Sequence, residues 1–140
     1  MSISQGRRWA LALAFWLTLA FTVLMAVMPD PAIVGGSGGA HAPDATPGIL
    51  AWLGALDDRL QHIAAFSAMA LLAAAAYPRA TLLRIGERLS FFGAVLELVQ
   101  ALPAVGRDCE IQDWLIDTVA LIAVLSVIHL IRQRRARPAL

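Results

Sequence analysis

From residue 9 to residue 28 the chain carries no charged side chain. About 20 consecutive apolar residues are what an α-helix needs to cross the hydrocarbon core of a bilayer. Three more apolar stretches follow, at residues 58–77, 89–105 and 111–131. Lipid offers no partner to an unpaired backbone N–H or C=O, so helices are the only sensible form for such stretches. The expected fold class is therefore all-α, a four-helix transmembrane bundle. Composition agrees: of 140 residues, 59% are hydrophobic and 15% charged, against roughly 45–50% and about 25% in a soluble domain. The net charge of +1 makes no case for nucleic acid.

Arginine sets the expected orientation. All eleven basic residues are Arg. Arg7 and Arg8 precede the first stretch; Arg79, Arg84 and Arg88 lie between the second and third; Arg132, Arg134, Arg135 and Arg137 follow the fourth. Arg59 and Arg107 fall on the other side, and of the acidic residues only Glu87 joins the nine arginines. The positive-inside rule then predicts that both termini are cytoplasmic in a plasma (inner) membrane protein. The division is a cytoplasmic N-terminus over 1–8, a first span over 9–28, an extracytoplasmic loop over 29–57, and a unit over 58–140 with three further spans and a basic tail. Cleavage of the first stretch as a signal peptide is not expected. Its apolar core exceeds the roughly 7–15 residues usual in such signals, and the candidate site Ala40-His41-Ala42 lies well past its end.

The loop over 29–57 holds Gly35-Gly-Ser-Gly-Gly39, a flexible-linker composition, and His41, a solvated loop residue. Its last part, up to Asp57, is either a short interfacial helix with Trp52 at headgroup depth or an irregular approach to the second span. Cys109 stands alone, so an internal disulfide is impossible; it is expected to fill space as a small residue. Trp9, Trp52 and Trp114 are expected as interface anchors, Ala73 to Ala76 as close helix packing, and His129 as an interfacial residue without a role.

The stretches after the loop carry ionisable residues near one end each, and the alternating topology brings those ends together. Asp58 and His62 are four apart on one helix face, with His62 about 6 Å deeper. Glu97 and Gln100 share a face at the far end of the third stretch, Glu97 about 4.5 Å the deeper. Asp113 and Asp117 are four apart at the start of the fourth. Arg107, in the loop between the last two stretches, is within reach of the carboxylates. Asp58 and Asp113 also suit helix N-termini, and polar contacts can simply join helices, at about 0.6–2 kcal/mol each. Glu97 and Asp117, expected a turn or more inside their spans, ask for more. A carboxylate there must be neutral, or paired with Arg107, Arg59 or protonated His62. Intramembrane ionisable groups mark functional sites by default. The expected ligand-binding set is thus Asp58, His62, Glu97, Gln100, Arg107, Asp113 and Asp117, around a pocket open to the outside. No short metal motif is present, and neither a metal nor a cofactor is assigned.

These elements, in this order, resemble the VanZ-like family of small membrane proteins. Its pattern has D-K-x-x-H opening a span, E-x-x-Q closing the next, a proline and an arginine in a short loop, and D-x-x-x-[N/D]-x-x-G opening the last helix. This chain has Asp58-Arg-Leu-Gln-His62, then Glu97-Leu-Val-Gln100 with Pro103 and Arg107, then Asp113-Trp-Leu-Ile-Asp117-Thr-Val-Ala120. The match runs from about Asp57 to the end. It departs in Arg59 for lysine, in three residues rather than one between Pro103 and Arg107, and in Ala120 for glycine. The resemblance implies a cell-envelope protein. The family's named member is associated with low-level resistance to teicoplanin, a glycopeptide antibiotic, and the family carries no established activity.

Three functions fit these residues. The first is binding or modulation of a polar headgroup, from a membrane lipid or a cell-wall precursor, with Arg59 and Arg107 on phosphate and Gln100 and the carboxylates accepting from hydroxyl or amine donors. The second is a membrane-embedded hydrolase or transferase acting on an envelope lipid. Its catalytic candidates are His62, Glu97, Asp113 and Asp117, as acid and base or around a hard divalent cation. The third is proton-coupled transport, which the nearly apolar inner half of the bundle disfavours.

Overall fold

A computed structural model of the chain describes residues 5–27, 58–103, 105 and 111–136. Among these residues all regular structure is helical, in four helices: α1 (Gln5–Val27), α2 (Asp58–Ala76), α3 (Leu82–Gln100) and α4 (Ile111–Ala136). Three of them, α1, α2 and α4, are long and apolar enough to cross a membrane. Their outward faces are apolar as well: Leu17 is 61% exposed, Leu71 53% and Val119 65%. A helix that is apolar on its outer face as well as its inner one is built for lipid rather than water.

The third helix differs most from its expected span of 89–105. Arg84, Glu87 and Arg88 suggest a loop, yet the helix already starts at Leu82. Thr81 is the reason: its hydroxyl accepts the backbone N–H of Arg84, the N-cap arrangement that satisfies an orphan donor of the first turn. At the other end Pro103 cannot continue the ladder. The chain leaves the helix at Gln100 through tight turns, with Leu102 N–H on Val99 O and Val105 N–H on Leu102 O. Glu97 therefore lies in the last turn of its helix, nearer the end than the sequence suggests.

The core runs along one stripe of each helix. In α2 it is Phe66, Met69, Ala70, Ala73 and Ala74; in α3 Ile85, Leu89 and Leu96; in α4 Leu121 and Leu125. α1 packs mainly against α2 and contributes Phe15 and Ala26. The small residues of α2 let its neighbours approach closely. Gly93 of α3 does the same: a Cβ there would stand 3.2 Å from the Phe66 ring. Polar contacts join the helices at specific points. Trp16 Nε1 donates to Tyr77 Oη at 3.0 Å between α1 and the end of α2. Arg132 donates to the carbonyl of Ala74 at 2.8 Å, serving one of the last orphan carbonyls of α2. The Ser90 and Thr118 hydroxyls meet at 2.9 Å, and Trp114 Nε1 donates to Ser90 O at 3.1 Å. Trp114, expected as an interface anchor, thus turns inward and ties α4 to α3. His129 is exposed and accepts from the Gln133 amide one turn on.

Candidate functional site

The same stripes that form the core become polar at one end of the bundle. In α4 the buried positions are Asp113, Asp117, Leu121 and Leu125, each four after the last. In α2 His62 stands one turn before Phe66, and in α3 Glu97 and Gln100 follow Leu96. The start of α2, the end of α3 and the start of α4 meet there. Helical periodicity keeps these residues on the faces that the apolar parts pack, because residues four apart share a face, and the depth of the packed helices brings them level. Asp117 is 1% exposed, Glu97 5% and Asp113 9%.

The contacts within this end are specific. His62 Nδ1 lies 3.1 Å from Asp117 Oδ2. With its proton on Nδ1 the imidazole donates to that carboxylate, which settles its orientation and places the lone pair on Nε2. The His62 ring lies parallel to that of Phe66, with centroids 6.5 Å apart. Phe66 in turn rests against Gly93, and Gly93 also faces Asp117 Oδ2, which a Cβ would meet at 3.6 Å. Donor atoms of His62, Glu97 and Asp113 all lie within 4.8 Å of one another. At the rim, Arg59 Nε stands 3.9 Å from Asp113 Oδ1, and Arg59 Nη2 donates to Gln112 Oε1 at 3.3 Å. Among the described residues Asp113 Oδ1 and Asp117 Oδ1 are buried with no hydrogen-bond partner.

Of the seven residues expected to form the site, His62, Glu97, Asp113 and Asp117 come together, and Gln100 is buried one turn from Glu97. Asp58 opens α2, but its side chain is outside the described residues, as is all of Arg107. The loop with His41, Trp52 and the glycine run also lies outside them, and so does Cys109. Arg59 is the guanidinium described beside the cluster. Sequence reasoning missed Phe66, Gly93 and Gln112. The first two carried a signal, since Phe66 follows His62 by four and a lone glycine inside an apolar helix marks a close approach.

The helix ends give these acids different standing. Asp113 sits in the first turn of α4, where the macrodipole favours a negative charge. Glu97 sits in the last turn of α3, where the same effect works against it by about 0.3–1 kcal/mol. A groove of about 730 Å³ between α3 and α4 is lined mostly by apolar side chains such as Leu121, Ile122 and Leu125 and does not include the cluster.

No family model, curated protein or solved structure matches the chain.

Proposed function

We propose that this chain is a VanZ-like multi-pass protein of the cell envelope, with four helices crossing the plasma membrane, both termini cytoplasmic, and a polar site opening outward. The site binds the polar head of a membrane lipid or cell-wall precursor and so modulates the envelope. The observation that supports this best is the convergence of His62, Glu97, Asp113 and Asp117 from three helices onto the end of one core. Residues that only join helices would have no need to gather, and Glu97 is buried at the end of α3 where the macrodipole disfavours an acid. Arg59, 53% exposed at the rim, suits a phosphate arriving from water.

Binding of envelope lipids and lipid-linked precursors to the protein in nanodiscs tests the proposal. One class should bind, and alanine at Glu97, Arg107 or Asp117 should weaken that binding. Unchanged binding of every headgroup in all three variants would exclude it. For the topology, a phosphatase reporter should be active when inserted in the 29–57 loop and inactive when placed after Ala136.

A second reading has its own support. An imidazole oriented by a buried carboxylate is also the arrangement of a general base, so His62 and Asp117 suit a hydrolase or transferase acting on an envelope lipid. Release of product from a labelled lipid panel, lost in His62→Gln, would favour it over simple binding. Proton-coupled transport gains little, because the buried stripes beyond Asp117 and Gly93 continue as Leu121, Leu125, Leu89 and Ile85.

A further inference from the structure

We infer that His62, Glu97 and Asp113 together hold one divalent metal ion of the kind that accepts mixed imidazole and carboxylate ligands, Zn²⁺ or Mn²⁺. The inference deepens the proposed outward site and rests on it only for where the ion would meet its ligand.

Four observations converge. First, the donors come from three helices and already lie within 4.8 Å of one another. Metal–ligand bonds of about 2.0–2.2 Å place two ligand atoms about 3.4 Å apart at a tetrahedral angle and at most about 4.4 Å apart across the ion. The remaining closure is of order 1 Å, within reach of side-chain rotation. Second, His62 Nδ1 faces a buried carboxylate, Asp117, at 3.1 Å, as the second ring nitrogen of a metal-binding histidine does. Such a carboxylate fixes the tautomer and raises the basicity of the ligating nitrogen. Third, among the described residues Asp113 Oδ1 is buried with no hydrogen-bond partner, and the Arg59 guanidinium beside it stands at 3.9 Å. A cation supplies what that oxygen lacks. Fourth, Glu97 sits at the carboxyl end of α3, where a cation is favoured as much as an acid is disfavoured.

The donor set selects the ion. Mg²⁺ and Ca²⁺ prefer shells built from oxygen alone, whereas an imidazole with two carboxylates suits Zn²⁺ or Mn²⁺. Three protein ligands leave coordination positions open, as in sites that bind or activate a further molecule. The open positions and Arg59 would then face the same arriving anion, so a phosphate-bearing headgroup is the ligand chemistry that fits best. Asp117 is a positioning residue in this scheme and touches the metal only through His62.

The test uses the full chain in detergent, stripped with chelator and titrated with Zn²⁺ or Mn²⁺ alone, with no lipid ligand added. Metal content after gel filtration should reach one equivalent per chain. Electron spin-echo spectra of the Mn²⁺ form should show coupling to an imidazole nitrogen that disappears in His62→Gln. Glu97→Gln and Asp113→Asn should each remove stoichiometric binding. Asp117→Asn should weaken it by roughly 10–100-fold, and the exposed Glu87→Gln should leave it unchanged. Equal Mg²⁺ or Ca²⁺ should not compete. Helix content and gel-filtration profile identify any variant that fails to fold, and the wild-type stoichiometry and nitrogen coupling then decide by themselves. Less than one-half equivalent in the wild type, or full binding in folded Glu97→Gln, overturns the inference. One bound ion in a protein that binds no headgroup upholds the metal site and overturns the headgroup reading, whereas headgroup binding by a wild type that takes up less than one-half equivalent of metal does the reverse.

Discussion

The two ends of this helix bundle share the same stripes and differ in what fills them. Toward one end α4 presents Leu121 and Leu125, α2 Met69 and Ala73, and α3 Leu89 and Ile85. Toward the other the same faces present Asp117 and Asp113, His62, and Glu97 with Gln100. The apolar end needs only shape: dispersion contacts and small residues hold it together. The polar end needs every group oriented, because buried polar atoms left without partners cost free energy. Asp117 is as buried as Leu121, each 1% exposed, although they sit four residues apart on one helix. A bundle selected for packing alone would have placed leucine at both. The comparison leads to the expectation that the polar end costs stability, as functional sites commonly do.

The comparison can be broken by moving its boundary. Leu121→Asp carries the polar end one turn into the apolar one, where no described partner resembles His62. The charge costs about 3 kcal/mol at depth in a helix, and the lost packing about 2 kcal/mol more. Unfolding in a denaturant series should therefore show the largest loss of any single change proposed here, and a loss below about 1 kcal/mol would remove the distinction between the two ends.

The opposite change sharpens it. Replacing the pair together, His62→Leu with Asp117→Leu, extends the apolar core toward the helix ends. Buried polar pairs exchanged for well-packed apolar residues gain about 1–4 kcal/mol, while removal of one partner alone is costly. The double variant should melt higher than the wild type and bind neither metal nor headgroup, and Asp117→Leu alone should melt lower. A double variant that melts lower would mean that the dyad serves stability.

A smaller effect is expected at the seam between the ends. In Gly93→Ala the new methyl meets the Phe66 ring at 3.2 Å, and Phe66 is fully buried with the His62 ring parallel to it. Overpacking costs about 1–3 kcal/mol, and the better helix propensity of alanine returns up to about 1 kcal/mol. A net loss near 1 kcal/mol is expected, with a disproportionate fall in ligand or metal affinity as His62 moves. Intact affinity at wild-type stability would show that Phe66 has room to shift. The smallest effect belongs to Trp114→Phe, which keeps the ring and removes the donor to Ser90. Interhelical bonds of this kind are worth about 0.6 kcal/mol, rarely above about 1.7, so a shift beyond 2 kcal/mol would give Trp114 a larger part than joining α3 to α4.

What the amino-acid order settles by itself is everything that depends on local chemistry. Apolar length and the absence of partners in lipid make the chain helical, and the separation of four between Asp113 and Asp117 puts both on one helix face before any neighbour is known. Charge, however, misleads at α3. Arg84, Glu87 and Arg88 look like loop in sequence, but the Thr81 cap and the stop at Pro103 decide the helix, and both act through backbone geometry rather than hydropathy. Only the tertiary structure decides which polar groups meet. That Asp117 takes His62, that Arg59 stands nearest Asp113, and that Trp114 turns toward Ser90 all depend on helix rotation and depth. Those are set by close packing at Gly93, Phe66 and the alanines of α2. Contacts between distant stretches arise from the shape of surfaces that exist only once the helices are side by side, and no residue spacing along the chain encodes them directly.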